Sequence, residues 1–229
     1  FVDPDVSIGS RLHTLSIHRD PTIWKLRSKC DILPEATNES DLNDGWREDT
    51  IMSQTALLII DMQVGLADES YEEDKAILTC IAGLLSKARE EHVPVIFIQH
   101  DGGSGHPLEP GTPGWPINPM ISPREGELII RKRASDSFYQ TPLHKTLQAQ
   151  GISRLVVTGA MTEYCVDTTC RRAASLDYDV VLVSDAHLTG DNGILTGAQI
   201  VAQHNHALAN MAHPTHPISV VAAKDVKFA

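Results

Sequence analysis

Three side chains of complementary chemistry stand at equivalent places in this sequence: Asp61, Lys132 and Cys165, each at or just past the end of a short apolar run. TALLIID (55–61) ends on the aspartate and ELIIRK (127–132) on the lysine, while SRLVVTG (153–159) is followed by AMTEYC, which carries the cysteine. A free thiol titrates near ~8.5, so only about 3% is thiolate at neutral pH. An ammonium ion and the N-terminal end of a helix both favour the anion, and can bring a thiol to ~7 or below. Lys132 would supply the ammonium. Asp61 would take the thiol proton and later hand it to a leaving amine. The expected chemistry is an activated thiolate attacking a carbonyl, with backbone N–H groups of the preceding turn facing the developing oxyanion. Arg131 and Arg133 flank Lys132, and alternation along a strand turns Lys132 to the face opposite both.

The elements that must position these groups follow from periodicity. The runs at 55–61, 93–100, 127–132, 153–159, 179–186 and 217–223 read as strands, the longer ones apolar on both faces. Between them, 71–92, 141–151, 162–177 and 197–212 read as helices. For 141–151, Thr141 is the expected N-cap, Pro142 the first turn and Gly151 the C-cap. Residues 101–127 are rich in Gly and Pro and read as a long binding loop. Strands alternating with helices predict a three-layer α/β/α domain around a mostly parallel sheet of about six strands. In such a sheet ligands collect at the carboxyl ends of strands, where all three groups fall.

Residues 1–51 lack a sustained period and predict an irregular N-terminal extension, with the folded domain spanning 52–229. The net charge of −11 argues against a nucleic-acid partner, and no apolar run approaches the ~20 residues of a membrane helix. The four cysteines lack zinc-knuckle spacing and read as reduced thiols of a cytoplasmic protein. Cys80 and Cys170 are expected in the core, Cys30 belongs to the extension, and Glu69, Glu72, Glu73 and Asp74 read as a solvated helix start. His204 and His206 are two apart on a helix, a poor arrangement for one metal ion. Asp185 and His187, after the fifth strand, are expected to position neighbouring loops.

TALLIIDMQ, RKRASDSFYQTPL and VVTGAMTEYCVDTTCRRAASLDYDVVLVSDA together resemble the isochorismatase-like cysteine hydrolases, from about residue 54 to the C-terminus. The resemblance implies a catalytic triad of Asp61, Lys132 and Cys165. It implies a cis peptide between Ala160 and Met161, and an oxyanion hole made by the N–H groups of Met161 and Cys165. It places Gln63, Phe138 and Tyr139 along the substrate pocket and implies a homo-oligomer, dimer or tetramer; the long Gly/Pro loop with Trp115 is expected to shape that pocket. Nicotinamidases of this family carry a metal at an Asp-x-His pattern. Here Asp101 is followed by Gly-Gly, so with His100 and His106 alone the pattern is broken, and no metal or other cofactor is expected.

Keeping Cys165 favours the amidase branch: hydrolysis of a C–N amide, lactam or ureide-type bond of a small molecule through a thioester. The alternative is vinyl-ether hydrolysis of an isochorismate-like compound by Asp61 without the thiol. A nucleotide-binding module is disfavoured, because GGSG (102–105) is followed by His-Pro rather than a helix.

Overall fold

The computed structural model describes residues 54–68 and 70–228. The expected extension at 1–51, with Cys30, lies outside the described residues, as does Glu69 of the acidic cluster. Six strands, β1 (Gln54–Ile60), β2 (Val95–His100), β3 (Leu128–Lys132), β4 (Ile152–Ala160), β5 (Asp179–Leu188) and β6 (Ser219–Val221), form one sheet in the order β3-β2-β1-β4-β5-β6. Every neighbouring pair is parallel. The helices are α1 (Glu72–Glu90), α2 (Leu143–Ala149), α3 (Asp167–Ala174) and α4 (Gly197–Ala209).

The continuous apolarity of the strands is explained by cover on both faces. Along β1, Ala56, Leu58 and Ile60 meet Leu143 and Leu147 of α2, Cys170 and Ala173 of α3 and Leu208 of α4. Leu57 and Ile59 point the other way, into a core with Leu78, Ile81, Leu85 and Ala88 of α1. Each large aliphatic side chain buried this completely contributes roughly 1.5–3 kcal/mol. Cys170, with no exposure, is packed as a core residue.

The strand order fans outward from β1 and β4: β1 leads to β2 and β3 on one side, β4 to β5 and β6 on the other. In a parallel sheet of this kind ligands collect at such a reversal, beyond the carboxyl ends of the two central strands. The two strands also approach closely there. Gly159 has φ +131°, and a Cβ on it would lie 2.1 Å from the Ile60 carbonyl oxygen, so only glycine fits.

Several boundaries differ from the sequence expectation. Helix α2 starts at Leu143 with Pro142 as its cap residue, yet Thr141 Oγ1 still accepts a hydrogen bond from Leu143 N at 3.3 Å. The segment expected as one helix from 162 is instead a π turn (Thr162–Val166) that passes into α3. Strand β6 is shorter than expected and β5 runs on to Leu188, with a break of register against β4 between Val157 and Gly159.

Candidate active site

Asp61, Lys132 and Cys165 converge beyond the carboxyl ends of the strands. Asp61 follows β1 directly in the left-handed region, φ +49°, which aspartate tolerates better than most residues. Its backbone N–H donates to the Ile98 carbonyl at 2.9 Å, tying the turn to β2. Lys132 ends β3, two strands away, and its buried side chain lies between exposed Arg131 and Arg133, as strand alternation requires. Cys165 sits in the π turn after β4.

The Lys132 ammonium joins the three. Its Nζ lies 2.6 Å from Asp61 Oδ2 and 3.1 Å from Cys165 Sγ, and donates to the Ala134 carbonyl at 3.0 Å. The ammonium thus hydrogen-bonds the thiol and a backbone carbonyl while pairing ionically with the carboxylate. Lys132 is thereby a fixed support for both groups.

The electrostatics correct one expectation from the sequence. Cys165 is not an acidic thiol. Burial, then the Asp61 charge, push it up to about 11, against the opposing pull of Lys132. Burial likewise raises the Asp61 carboxyl above its ordinary range, although Lys132 pulls it down. Cys165 thus rests as a neutral thiol, and a thiolate forms only as its proton moves away.

The peptide bond between Ala160 and Met161 is cis. The Met161 carbonyl accepts from Tyr164 N and Val166 N, each at 3.2 Å, which folds the π turn back on the loop. The Thr162 side chain, also buried, makes a 2.9 Å hydrogen bond with His187 Nδ1.

The expected pocket residues fall in different surroundings. Gln63 is fully buried. Its amide donates to the His100 and Trp115 carbonyls and accepts from His100 N, so it fastens the long loop to β2 and presents no free polar atom to a ligand. Phe138 belongs to the core, stacked on Tyr178 at 5.9 Å between centroids. Tyr139 is 56% exposed. Trp115 donates from its indole to Asp101 at 3.0 Å and carries the Arg131 guanidinium 5.0 Å above its ring.

A cleft of about 550 Å³ opens at the ends of β2 and β3, lined by His100, Asp101, Glu109 and Arg133 among others. Among its lining residues, His100 is the register partner of Lys132 on the neighbouring strand. Burial, together with the Lys132 and His106 charges, brings His100 down to about 4, so its ring is neutral at neutral pH. Asp101 is held by Arg131 at 2.8 Å as well as by Trp115, and His106 Nδ1 accepts from Leu108 N. Among the described residues no three His, Cys, Asp or Glu side chains are grouped to hold a metal ion. His204 binds Asp167 at 3.1 Å instead. Also among the described residues, no helix is long and apolar enough to cross a membrane.

The family model for the Isochorismatase domain matches residues 55–223. A streptothricin hydrolase from Streptomyces noursei is 38% identical over 138 residues, covering 59% of this chain and 50% of that protein. The ureidoacrylate amidohydrolase RutB of Stutzerimonas stutzeri is 27% identical over 172 residues, covering 58% of this chain and 69% of that protein. The match to the streptothricin hydrolase thus spans about half the length of that relative. Among solved structures, an isochorismatase from Pseudomonas putida superposes with a TM-score of 0.69 at 31% identity, covering 76% of this chain and 91% of the other.

Proposed function

The chain belongs to the isochorismatase family of hydrolases, and we propose that within it this protein is a cysteine hydrolase that cleaves the C–N bond of a small amide, lactam or ureide. One observation carries this reading: a buried ammonium, Lys132 Nζ, in contact with both a carboxylate and a thiol, at 2.6 Å and 3.1 Å. The name of the ureidoacrylate amidohydrolase supports the bond type.

In the proposed cycle the Cys165 proton passes to Asp61, and the sulfur attacks the substrate carbonyl carbon. The raised basicity of buried Asp61 narrows the gap to the thiol, and Lys132 stabilises the thiolate as it forms. The oxyanion lies against the N–H groups of Met161 and Cys165. Asp61 returns its proton to the nitrogen, the C–N bond breaks, and the amine leaves a thioester on Cys165. Water then attacks the thioester, giving one proton to Asp61. Collapse releases the acid and restores the thiol.

A second reading has one observation in its favour. A carboxyl raised by burial is also suited to protonate a vinyl ether, with Cys165 a bystander. Native protein and Cys165→Ala are incubated with streptothricin, ureidoacrylate, a panel of lactams and ureides, and isochorismate. The cysteine reading predicts turnover of at least one C–N substrate by the native protein and none by the variant. Isochorismate cleavage that survives Cys165→Ala would establish the second reading instead.

A further inference from the structure

We infer that His187, acting through Thr162, is a positioning residue that fixes the turn carrying the Met161 N–H toward the oxyanion. This rests on the cysteine-hydrolase reading and adds to it a residue outside the triad.

The break in register between β4 and β5 brings His187 to the site. Val157 pairs with Leu182, but Gly159 pairs with His187. Unbroken pairing would set Ser184 opposite Gly159 and leave His187 beyond the end of β4. The extra β5 residues carry the imidazole alongside the loop that joins β4 to the cysteine. There it is 1% exposed, and Thr162, the residue after Met161, is also 1% exposed.

The hydrogen bonds form a chain with a defined direction. Asn205 Nδ2 donates to the Ser184 carbonyl at 3.0 Å, which turns Asn205 Oδ1 toward His187 Nε2, also at 3.0 Å. Oδ1 can only accept, so Nε2 carries the proton, and a neutral His187 presents the Nδ1 lone pair to the Thr162 hydroxyl at 2.9 Å. Burial and the neighbouring His204 favour this neutral ring, against the hydrogen bond to Asn205 and the Asp185 charge. The Ser184 carbonyl and α4 thus anchor the relay, and its free end holds Thr162. Met161 is meanwhile held through its carbonyl by Tyr164 N and Val166 N. The two restraints grip either side of the peptide between Met161 and Thr162. Two fully buried polar side chains, Thr162 and His187, are costly to bury for packing alone, where apolar groups of the same shape would serve.

The relay supports the oxyanion turn, whereas Asp61 and Lys132 support the sulfur. Two thiol reagents separate the roles. Iodoacetamide alkylates Cys165 by displacing iodide from carbon, with no oxyanion. p-Nitrophenyl acetate acylates it through a tetrahedral oxyanion: the carbon–sulfur bond forms, p-nitrophenolate leaves, and water later releases acetate. Thr162→Val keeps shape and removes the hydroxyl. We expect its acylation burst to slow roughly a hundredfold, the cost of a catalytic group misplaced by about 1 Å. Its alkylation rate at Cys165 should stay within about twofold of native, and Thr162→Ser should restore the burst.

Unchanged acylation in Thr162→Val would overturn the inference, as would an equal loss of both reactions in a protein with a native melting curve. If Thr162→Val does not fold, His187→Gln is read by the same pair of rates, and failure of both variants to fold would make the relay part of the core and overturn it too. The cysteine-hydrolase reading fails separately: it is lost if native protein gives no burst, or if Cys165→Ala gives one.

Discussion

Asp61→Asn should make Cys165 more acidic and the protein inactive at once. In the native site the thiol is pushed up to about 11, by burial first and the Asp61 charge second. At pH 7.5 such a thiol is ionised in roughly one molecule in three thousand. Both groups contact the same Lys132 nitrogen, at 2.6 Å and 3.1 Å. A unit charge about 5 Å away at an effective dielectric constant of about 20 is worth roughly 3 kcal/mol. Neutralising Asp61 while keeping its shape therefore raises the thiolate fraction at a given pH by roughly a hundredfold. The assay is the rate of iodoacetamide alkylation at Cys165 from pH 6 to 10, followed by peptide mass mapping. Mapping is needed because Cys80 is also partly accessible. The alkylation profile of Asp61→Asn should move to lower pH, while C–N hydrolysis falls by about a thousandfold for want of a proton carrier. An alkylation profile that stays in place or moves to higher pH would refute the electrostatic account. Hydrolysis that survives would refute the role of Asp61 as base.

Lys132→Met leaves a buried carboxylate unpaired and should cost about 3–5 kcal/mol in urea unfolding at neutral pH. The Asp61 carboxyl is held above its ordinary value in the folded protein, so folding favours its protonated form. That contribution is whole below about pH 4 and is lost as pH rises through the folded value. Removing Lys132 raises the folded value further, so the deficit should widen as pH rises past the native folded value, and a deficit independent of pH would contradict the pairing. Gly159→Ala drives a Cβ toward the Ile60 carbonyl and should destabilise by about 3 kcal/mol or more, read from the urea midpoint. Gln63→Met removes three hydrogen bonds that hold the long loop to β2. A loss of roughly 2–4 kcal/mol is expected, with faster proteolysis between residues 101 and 127.

What the sequence disclosed was what local pattern controls. Apolar runs such as LLII and VIFI fix buried strands, because only a sheet covered on both faces accommodates them. The alternation Arg131-Lys132-Arg133 already turned the lysine inward. The state of the thiol was not legible. Its sign depends on how far burial and Asp61 outweigh Lys132, which only the packed site decides. Gln63 and Phe138 were expected along the pocket, but the amide found backbone partners up to 52 residues away and the ring found Tyr178. No periodicity reports such long-range partners. His187 was legible as a polar residue at the end of β5, yet its contact with Thr162 depends on the register break opposite Val157–Gly159. The π turn around Cys165 was hidden as well, since TEYCVDTTC has an ordinary helical pattern.

The central claim is that the Cys165 sulfur becomes covalently acylated during turnover. It is tested most directly by acid-quenching the native protein in the first turnover of a substrate from the C–N panel and weighing the peptide that contains residue 165. A mass increase equal to the acyl part of the substrate, disappearing as the reaction completes and absent in Cys165→Ala, is the predicted result. Sustained turnover by Cys165→Ala, with no adduct on the native protein, would contradict it.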